Sequence, residues 1–351
     1  MVMRVRRAAR TILAAAAVLT VTACGGGSSP TTPSTPGGPV PPPSSGVELK
    51  GQLVGVLDSH AISGVKVSPD GLSPVTSDAS GDFTVDARTA GRFRSTVSGM
   101  GVYDRQTTLA VPGSNVQVSL IPSSFDITSF DQMFRTSQSQ LQRWTQAPAL
   151  VVEASDLVFT SVSDVAYVAT SRTLSDGEIN SIVSDLTWGL PQMSGGAFSS
   201  FASVTIDRPV AGASVSVQRG GAIVVGRYEG LTTATGYAGY GRWASLSDGT
   251  VTAGIAQYDA DIDRATHTSP PILRVHEMGH ALGYSHVFAR SSVMNAAPSP
   301  GPNDFDLQAA RLAFQRAPGS RSPDVDPDSG LSSAMRAVTS PGAAKWGPPI
   351  P

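Results

Sequence analysis

The chain is short of several things that most extracellular or nucleic-acid-binding proteins use. It has one cysteine, Cys24, in 351 residues. That excludes an internal disulfide and any cysteine-built metal site. Charged residues make up 15% of the chain and the formal net charge is −2. Without a basic excess there is nothing to neutralise a phosphate backbone, so nucleic acid is excluded as a partner, and no long charge run marks an interaction tail. The apolar stretch "ILAAAAVLTV" near the start is too short to span a bilayer comfortably as a mature helix. In place of these the chain carries 36 glycines and 26 prolines, with abundant Ser and Thr, a composition that favours β-modules and long linkers over helical bundles. The length accommodates about two domains at roughly 100–200 residues each.

The first 23 residues read as a secretory signal. Arg4, Arg6, Arg7 and Arg10 precede the apolar stretch, the order expected of a signal peptide. Val21, Thr22 and Ala23 before Cys24 resemble the bacterial lipobox. The resemblance implies cleavage after residue 23, acylation of Cys24, and a mature chain lipid-anchored at the cell surface or on a periplasm-facing membrane. Residues 24–47 are nearly all Gly, Ser, Thr and Pro, with almost nothing to bury, and are expected to be a disordered tether.

Residues 48–121 alternate over short stretches ("VELKGQLVGVL", "GVKVSP", "RFRSTVSG", "NVQVSLIP") separated by Gly, Asp and Ser turns, which predicts a small all-β sandwich. "GVKVSPDGLSPVTSDASGDFTV" resembles the carboxypeptidase-regulatory-like modules, and the resemblance implies a hairpin near Asp78, Gly81 and Phe83. No catalytic cluster falls in this segment, and nothing in it identifies a partner.

Residues 122–318 mix periods. A short helical lead-in is expected within "FDQMFRTSQSQLQRW", then a strand at "PALVVEA". Ser175 is placed as an N-cap, followed by Ile179, Ile182, Val183, Leu186 and Leu190 at helical spacing, with Gly195 and Gly196 beyond the helix end. Strands are expected at "ASVTID", "SVSVQ", "AIVVGRY" and "TVTAGIAQY". A helix follows at "PILRVHEMGHAL". A last helix is expected at "NDFDLQAARLAFQR", with Phe305, Leu307, Ala310, Leu312 and Phe314 as its apolar positions. Residues 319–351 return to Pro, Ser, Gly and Asp and are expected to be a disordered tail. Within it "DVDPDSG" has a late glycine and no closing glutamate for a calcium loop.

Three of the five histidines lie in "LRVHEMGHALGYSH". His276 and His280 are four residues apart, about 40° of rotation and about 6 Å of rise on a helix, so both rings leave one face. Neutral imidazoles so placed can hold one Zn²⁺. Glu277 points to a neighbouring part of the helix and can reach water at the metal without ligating it. Gly283 can take a positive φ and end the helix abruptly, which lets His286 return as a third ligand and leaves a fourth position open. His60 and His267 stand outside this spacing and read as loop histidines. Asp259, Asp261 and Asp263 in "YDADID" are weak candidates for a structural Ca²⁺, with a solvated acidic loop as the plainer reading.

His276, Glu277, His280, Gly283 and His286 fill the fixed positions of H-E-x-x-H-x-x-G-x-x-H, and the segment resembles the metzincin zinc endopeptidases. "SSVMNAAPS" is similar to their Met-turn, with Met294 beneath the histidines. The short interval between His286 and Met294 is closest to matrixin-like members. The resemblance implies an α+β fold: a metzincin-type domain of mixed twisted sheet, active-site helix and C-terminal helix, preceded by the small sandwich. It implies one catalytic Zn²⁺, Glu277 as general base, and a protein or peptide substrate laid along an edge strand at residues 251–258, with the loop after Met294 walling the pocket beyond the cut. Two alternatives stay open: an inactive metalloprotease-like surface binding lipoprotein, and a zinc hydrolase of cell-wall peptides.

Overall fold

The computed structural model describes residues 46–136, 139–265, 268–327 and 344–351. The signal segment, Cys24, the linker up to residue 45 and His267 lie outside the described residues. The described part folds as one unit of mixed α and β structure, an α+β architecture with several sheets.

The alternating stretches of residues 47–120 become seven strands: β1 (Val47–Gly55), β2 (Lys66–Pro69), β3 (Val75–Thr76), β4 (Asp82–Ala87), β5 (Gly91–Ser98), β6 (Arg105–Val111) and β7 (Gly113–Leu120). They form two sheets, ordered β4-β1-β7 and β3-β2-β5-β6. Every second side chain of β4 is buried, the period-2 pattern of a strand with one inner face. Leu49, Leu53, Val67, Phe83, Val97, Leu109 and Val118 share a common core. The Asp78–Phe83 turn differs from the expected hairpin. β3 pairs with β2 whereas β4 pairs with β1, so the turn carries the chain from one sheet to the other. Gly81 sits there at φ +76°, and the Asp78 carboxylate accepts the N–H of Ser80 and of Asp82.

Helix α1 (Ile127–Phe134) follows, then β8 (Ala149–Glu153), β9 (Ser155–Val158), β10 (Ala166–Thr173), α2 (Asp176–Met193), β11 (Val204–Asp207), β12 (Ser214–Ser216), β13 (Ala222–Glu229), α3 (Leu231–Thr235), β14 (Gly239–Ser245), β15 (Val251–Asp259), α4 (Ala260–Ala265), α5 (Ile272–Ala281), α6 (Asp304–Gln315) and β16 (Lys345–Trp346). The large sheet runs β12-β10-β9-β13-β15-β14-β16, with β8 beside β13 and β11 beside β8. β8, β13 and β15 are mutually parallel, and β14 is antiparallel to β15. Leu150, Val152, Ile223, Val225, Ala256 and Tyr258 face the main core, while Val151, Val224 and Ile255 face a second cluster. Central strands buried on both faces read as unbroken apolar runs, which is why "AIVVGRY" is legible as a strand.

Ser175 caps α2 reciprocally with Glu178, the capping box that its spacing predicts. Ile179, Ile182, Leu186 and Leu190 are buried, each contributing about 1.5–3 kcal/mol by the usual side-chain transfer values. Gly189 lets α2 approach α5, since a Cβ there would lie 2.9 Å from Met278 and Val275 side-chain carbons. α6 is capped by Asn303, and Phe305, Ala310 and Leu312 are buried on it; Leu307, expected inside, is 38% exposed. Segment 319–351 departs from the expected disordered tail in the parts described. Arg316 and Asp324 form an ion pair with both side chains fully buried, and β16 joins the large sheet.

Candidate metal centre

Helix α5 is seated on glycine. A Cβ at Gly241 would fall 2.3 Å from the Cβ of His280, one at Gly239 2.5 Å from Glu277 Oε1, and one at Gly254 2.5 Å from the carbonyl oxygen of Ala281. α5 therefore lies closer to β14 and β15 than side chains there would allow. Its start is clamped by Arg274. That guanidinium donates to both oxygens of Asp263 at 2.8 Å, to Asp185 at 2.6 Å and to Ser181 at 2.9 Å. Arg227 donates to the same Asp263 at 2.7 Å.

The end of α5 is set by Gly283, at φ +110°. Tyr284 N–H donates to the Gly279 carbonyl and Gly283 N–H to that of His280, both at 3.0 Å. These two bonds form a Schellman termination, which needs a left-handed residue where Gly283 stands. Ser285 N–H then bonds the Met133 carbonyl at 2.7 Å, and His286 is delivered back under the helix.

The three imidazoles converge. His276 Nε2 lies 3.1 Å from His280 Nε2 and 3.3 Å from His286 Nε2. Tetrahedral ligation at about 2.0–2.1 Å requires nitrogens about 3.3 Å apart. His276 Nδ1 contacts the Val293 carbonyl and His280 Nδ1 the Tyr284 carbonyl, each at 2.7 Å. A carbonyl can only accept, so each Nδ1 carries the proton and each Nε2 turns a lone pair toward the centre. Burial holds His276 down to about 4, with the Val293 bond opposing it and the His286 ring adding to it. Burial also holds His280 well below its ordinary value and lowers His286. The rings are thus neutral at neutral pH, the form a ligand must take. Among the described residues this is the cluster of His, Cys, Asp or Glu able to hold an ion, and its donor set fits Zn²⁺.

Glu277 is 2% exposed and its Oε2 has no hydrogen-bond partner. Burial pushes its carboxyl well above the ordinary value. Met294 is fully buried against the helix: a Cβ at Gly279 would come 2.5 Å from its sulfur. Asp306 holds this turn from α6, accepting the Val293 N–H at 2.9 Å and the Ser292 hydroxyl. The sequence gives no spacing signal for Asp306, whose role appears only when α6 packs beside the turn.

The weaker metal candidates are taken up in other ways. Asp259 accepts the N–H of Thr232, Asp261 and Ile262 and starts α4; Asp263 binds the two arginines; Asp261 pairs with Arg172 at 2.8 Å. Asp259 and Asp263 are therefore buried structural carboxylates rather than part of a solvated loop. In "DVDPDSG", Asp324 pairs with Arg316 and Asp326 with Arg105, while residues 328–330 lie outside the described residues. His60 is exposed beside Asp58.

The strand expected as the substrate edge, residues 251–258, is β15, and it is interior, between β13 and β14. β14 is the outer strand here, and its far side takes β16. The glycines that α5 requires had hidden β14, since "GYGRWAS" is weak by strand propensity.

No protein-family model matches the chain, and no curated protein matches it. Among solved structures, the Bacillus anthracis TIE protein is similar at 8% identity and a TM-score of 0.18, over 60% of this chain and 41% of that one. The chain thus spans less than half the length of that protein, and a score so low assigns no fold.

Proposed function

We propose that the chain is a zinc-dependent endopeptidase of the metzincin, matrixin-like kind, tethered to a membrane through acylated Cys24, with residues 48–121 as a carboxypeptidase-regulatory-like sandwich. One observation carries the reading: three Nε2 atoms, with the tautomers of His276 and His280 fixed by backbone carbonyls, converge beside a buried glutamate whose Oε2 has no partner. Lone pairs facing one another are repulsive unless a cation lies among them, and a buried carboxyl without a partner is costly unless it has work to do.

His276, His280 and His286 would hold the ion. Zinc, when bound, supplies a Lewis acid that polarises the scissile carbonyl and makes water acidic near neutral pH. Glu277 takes the proton of the attacking water at its carboxylate and returns it to the leaving nitrogen. The Val293 and Tyr284 carbonyls hold the rings in orientation, Met294 fills the floor, and the apolar packing around α5 excludes bulk water.

The test is zinc content together with casein hydrolysis for the full chain and for Glu277→Gln. Both are expected to carry one zinc per chain, with hydrolysis falling by about 10²–10⁴ in the variant, the usual contribution of a general base. A metal-free wild type, or undiminished hydrolysis in Glu277→Gln, would sink the assignment. Cleavage of peptidoglycan peptides in place of casein would move the substrate class.

A further inference from the structure

The outer edge of β14 is already filled by the chain itself. Residues 345–351 run antiparallel to it toward the histidines. Lys345 pairs with Ser245 and Trp346 with Ala244. Gly347 N–H donates to the Trp243 carbonyl at 2.9 Å, and Ile350 and Gly241 exchange both backbone bonds at 2.9 Å. The Arg242 guanidinium lies 5.0 Å from the Trp346 ring centroid, and Ile350 packs on the main core. Gly241, the partner of Ile350, lies directly against the triad: a Cβ there would fall 2.3 Å from the Cβ of His280.

Adding a strand to an open edge is how a sheet binds an extended peptide. We propose that residues 345–351 are an intramolecular competitor for that edge, an extended strand seated on β14 with its C-terminal end at the histidine triad, in the place of the substrate residues that precede the cut. The proposal rests on the peptidase reading of the triad. The segment approaches the histidines in the N-to-C direction, so it covers the upstream half of the groove. It is a poor substrate for geometric reasons. The Ile350 carbonyl is held by Gly241 N–H rather than turned to the metal face, and the nitrogen of its peptide bond is the tertiary amide nitrogen of Pro351. It is also a loose fit. Pro348 and Pro349 have no N–H to give, and the register slips by one residue between Trp346 and Ile350. Such a strand binds weakly by itself, but covalent attachment supplies an effective concentration on the order of 1 mM. A segment with an intrinsic Kd of about 0.1 mM would then close the edge about nine-tenths of the time, and its removal would strengthen binding of a competing peptide about tenfold.

The experiment compares full-length chains carrying Glu277→Gln with and without residues 345–351. Fluorescein-labelled casein should bind about tenfold more tightly to the shortened chain. The Gly241 amide should exchange its hydrogen at least tenfold faster there, and the synthetic peptide Lys-Trp-Gly-Pro-Pro-Ile-Pro should restore its protection. Equal casein affinity, or unchanged exchange at Gly241, overturns the proposal. A second variant keeps the chain length: Trp346→Ala with Gly347→Pro removes the arginine contact and the donor to Trp243, and should move both readings the same way by a few-fold. Hydrolysis is measured separately on chains with Glu277 intact. If it is absent from both lengths while casein binding still responds to the deletion, the peptidase reading fails and the competitor stands.

Discussion

Helix α5 carries two buried polar clusters within three residues of each other, and they are built on opposite principles. At Arg274 every charge has a partner. Asp263 receives Arg274 and Arg227, Asp185 receives Arg274, and Glu178 receives Arg227 and Arg264. Two residues on, His276 and Glu277 begin a cluster that does not close on itself. Its imidazole lone pairs face one another and Glu277 Oε2 faces nothing. Buried charges that are paired and hydrogen-bonded hold elements in register, whereas a cluster left short of a cation and a proton partner is shaped for what it binds. The first cluster fixes the start of the helix so that the second can be held open at its end.

Isosteric amide substitutions should separate the two. Asp263→Asn removes the charge shared by two buried arginines and is expected to cost about 3–5 kcal/mol, the range for breaking a buried pair, read by urea unfolding; a loss below about 1 kcal/mol would show that the network contributes little. Chelation acts on the other cluster alone. If free zinc stands a hundredfold above its Kd, removing it should lower stability by about 2.7 kcal/mol, seen as a drop in Tm that His276→Ala no longer shows. Acid should then find the arginine cluster. Burial raises the Glu178 carboxyl, but the Ser175 backbone and hydroxyl and the two arginines outweigh it and bring it down to about 2, from an ordinary 4.5. A depressed carboxyl contributes stability that is complete above 4.5 and is lost as pH falls toward 2. Glu178→Gln should flatten the slope of the stability profile across that window by lowering the plateau above it, with no change of slope at pH 7–8. The smallest effect is expected at Glu277→Gln, where no ion pair is lost. Stability in the zinc-free chain should stay level or rise by about 1 kcal/mol, and a loss as large as that of Asp263→Asn would erase the distinction.

What was legible in the sequence was what local geometry decides. The H-E-x-x-H spacing, the reversal at Gly283 and the cap at Ser175 depend on neighbours within about ten residues, and the structure brings those residues together as their spacing implies. What was not legible depends on distant packing. β14 reads poorly as a strand because Gly239 and Gly241 answer to His280 and Glu277, some forty residues later, so the edge was placed one strand too far inward. Asp259 and Asp263 read as part of a solvated acidic loop because their donors come from other elements, and Asp306 carries no signal for the same reason. Residues 345–351 hold three prolines and a glycine among seven residues, and only the edge of β14 gives them a structure.

The boundary drawn in sequence near residue 121 has no counterpart as a joint in space. Arg316, at the end of α6, binds Asp324 and also reaches Ser119 on β7 through its hydroxyl at 2.8 Å and its carbonyl at 3.0 Å. Arg105 on β6 binds Asp326, and Arg311 on α6 donates to the Leu57 carbonyl. Val56 and Ile121 belong to the same core as α5 and Met294. The seven-stranded part and the part that carries the histidine triad are thus riveted together rather than hinged. In a calorimeter they should melt as a single transition, and a pull on the N-terminal side of β1 would be borne by the whole body at once.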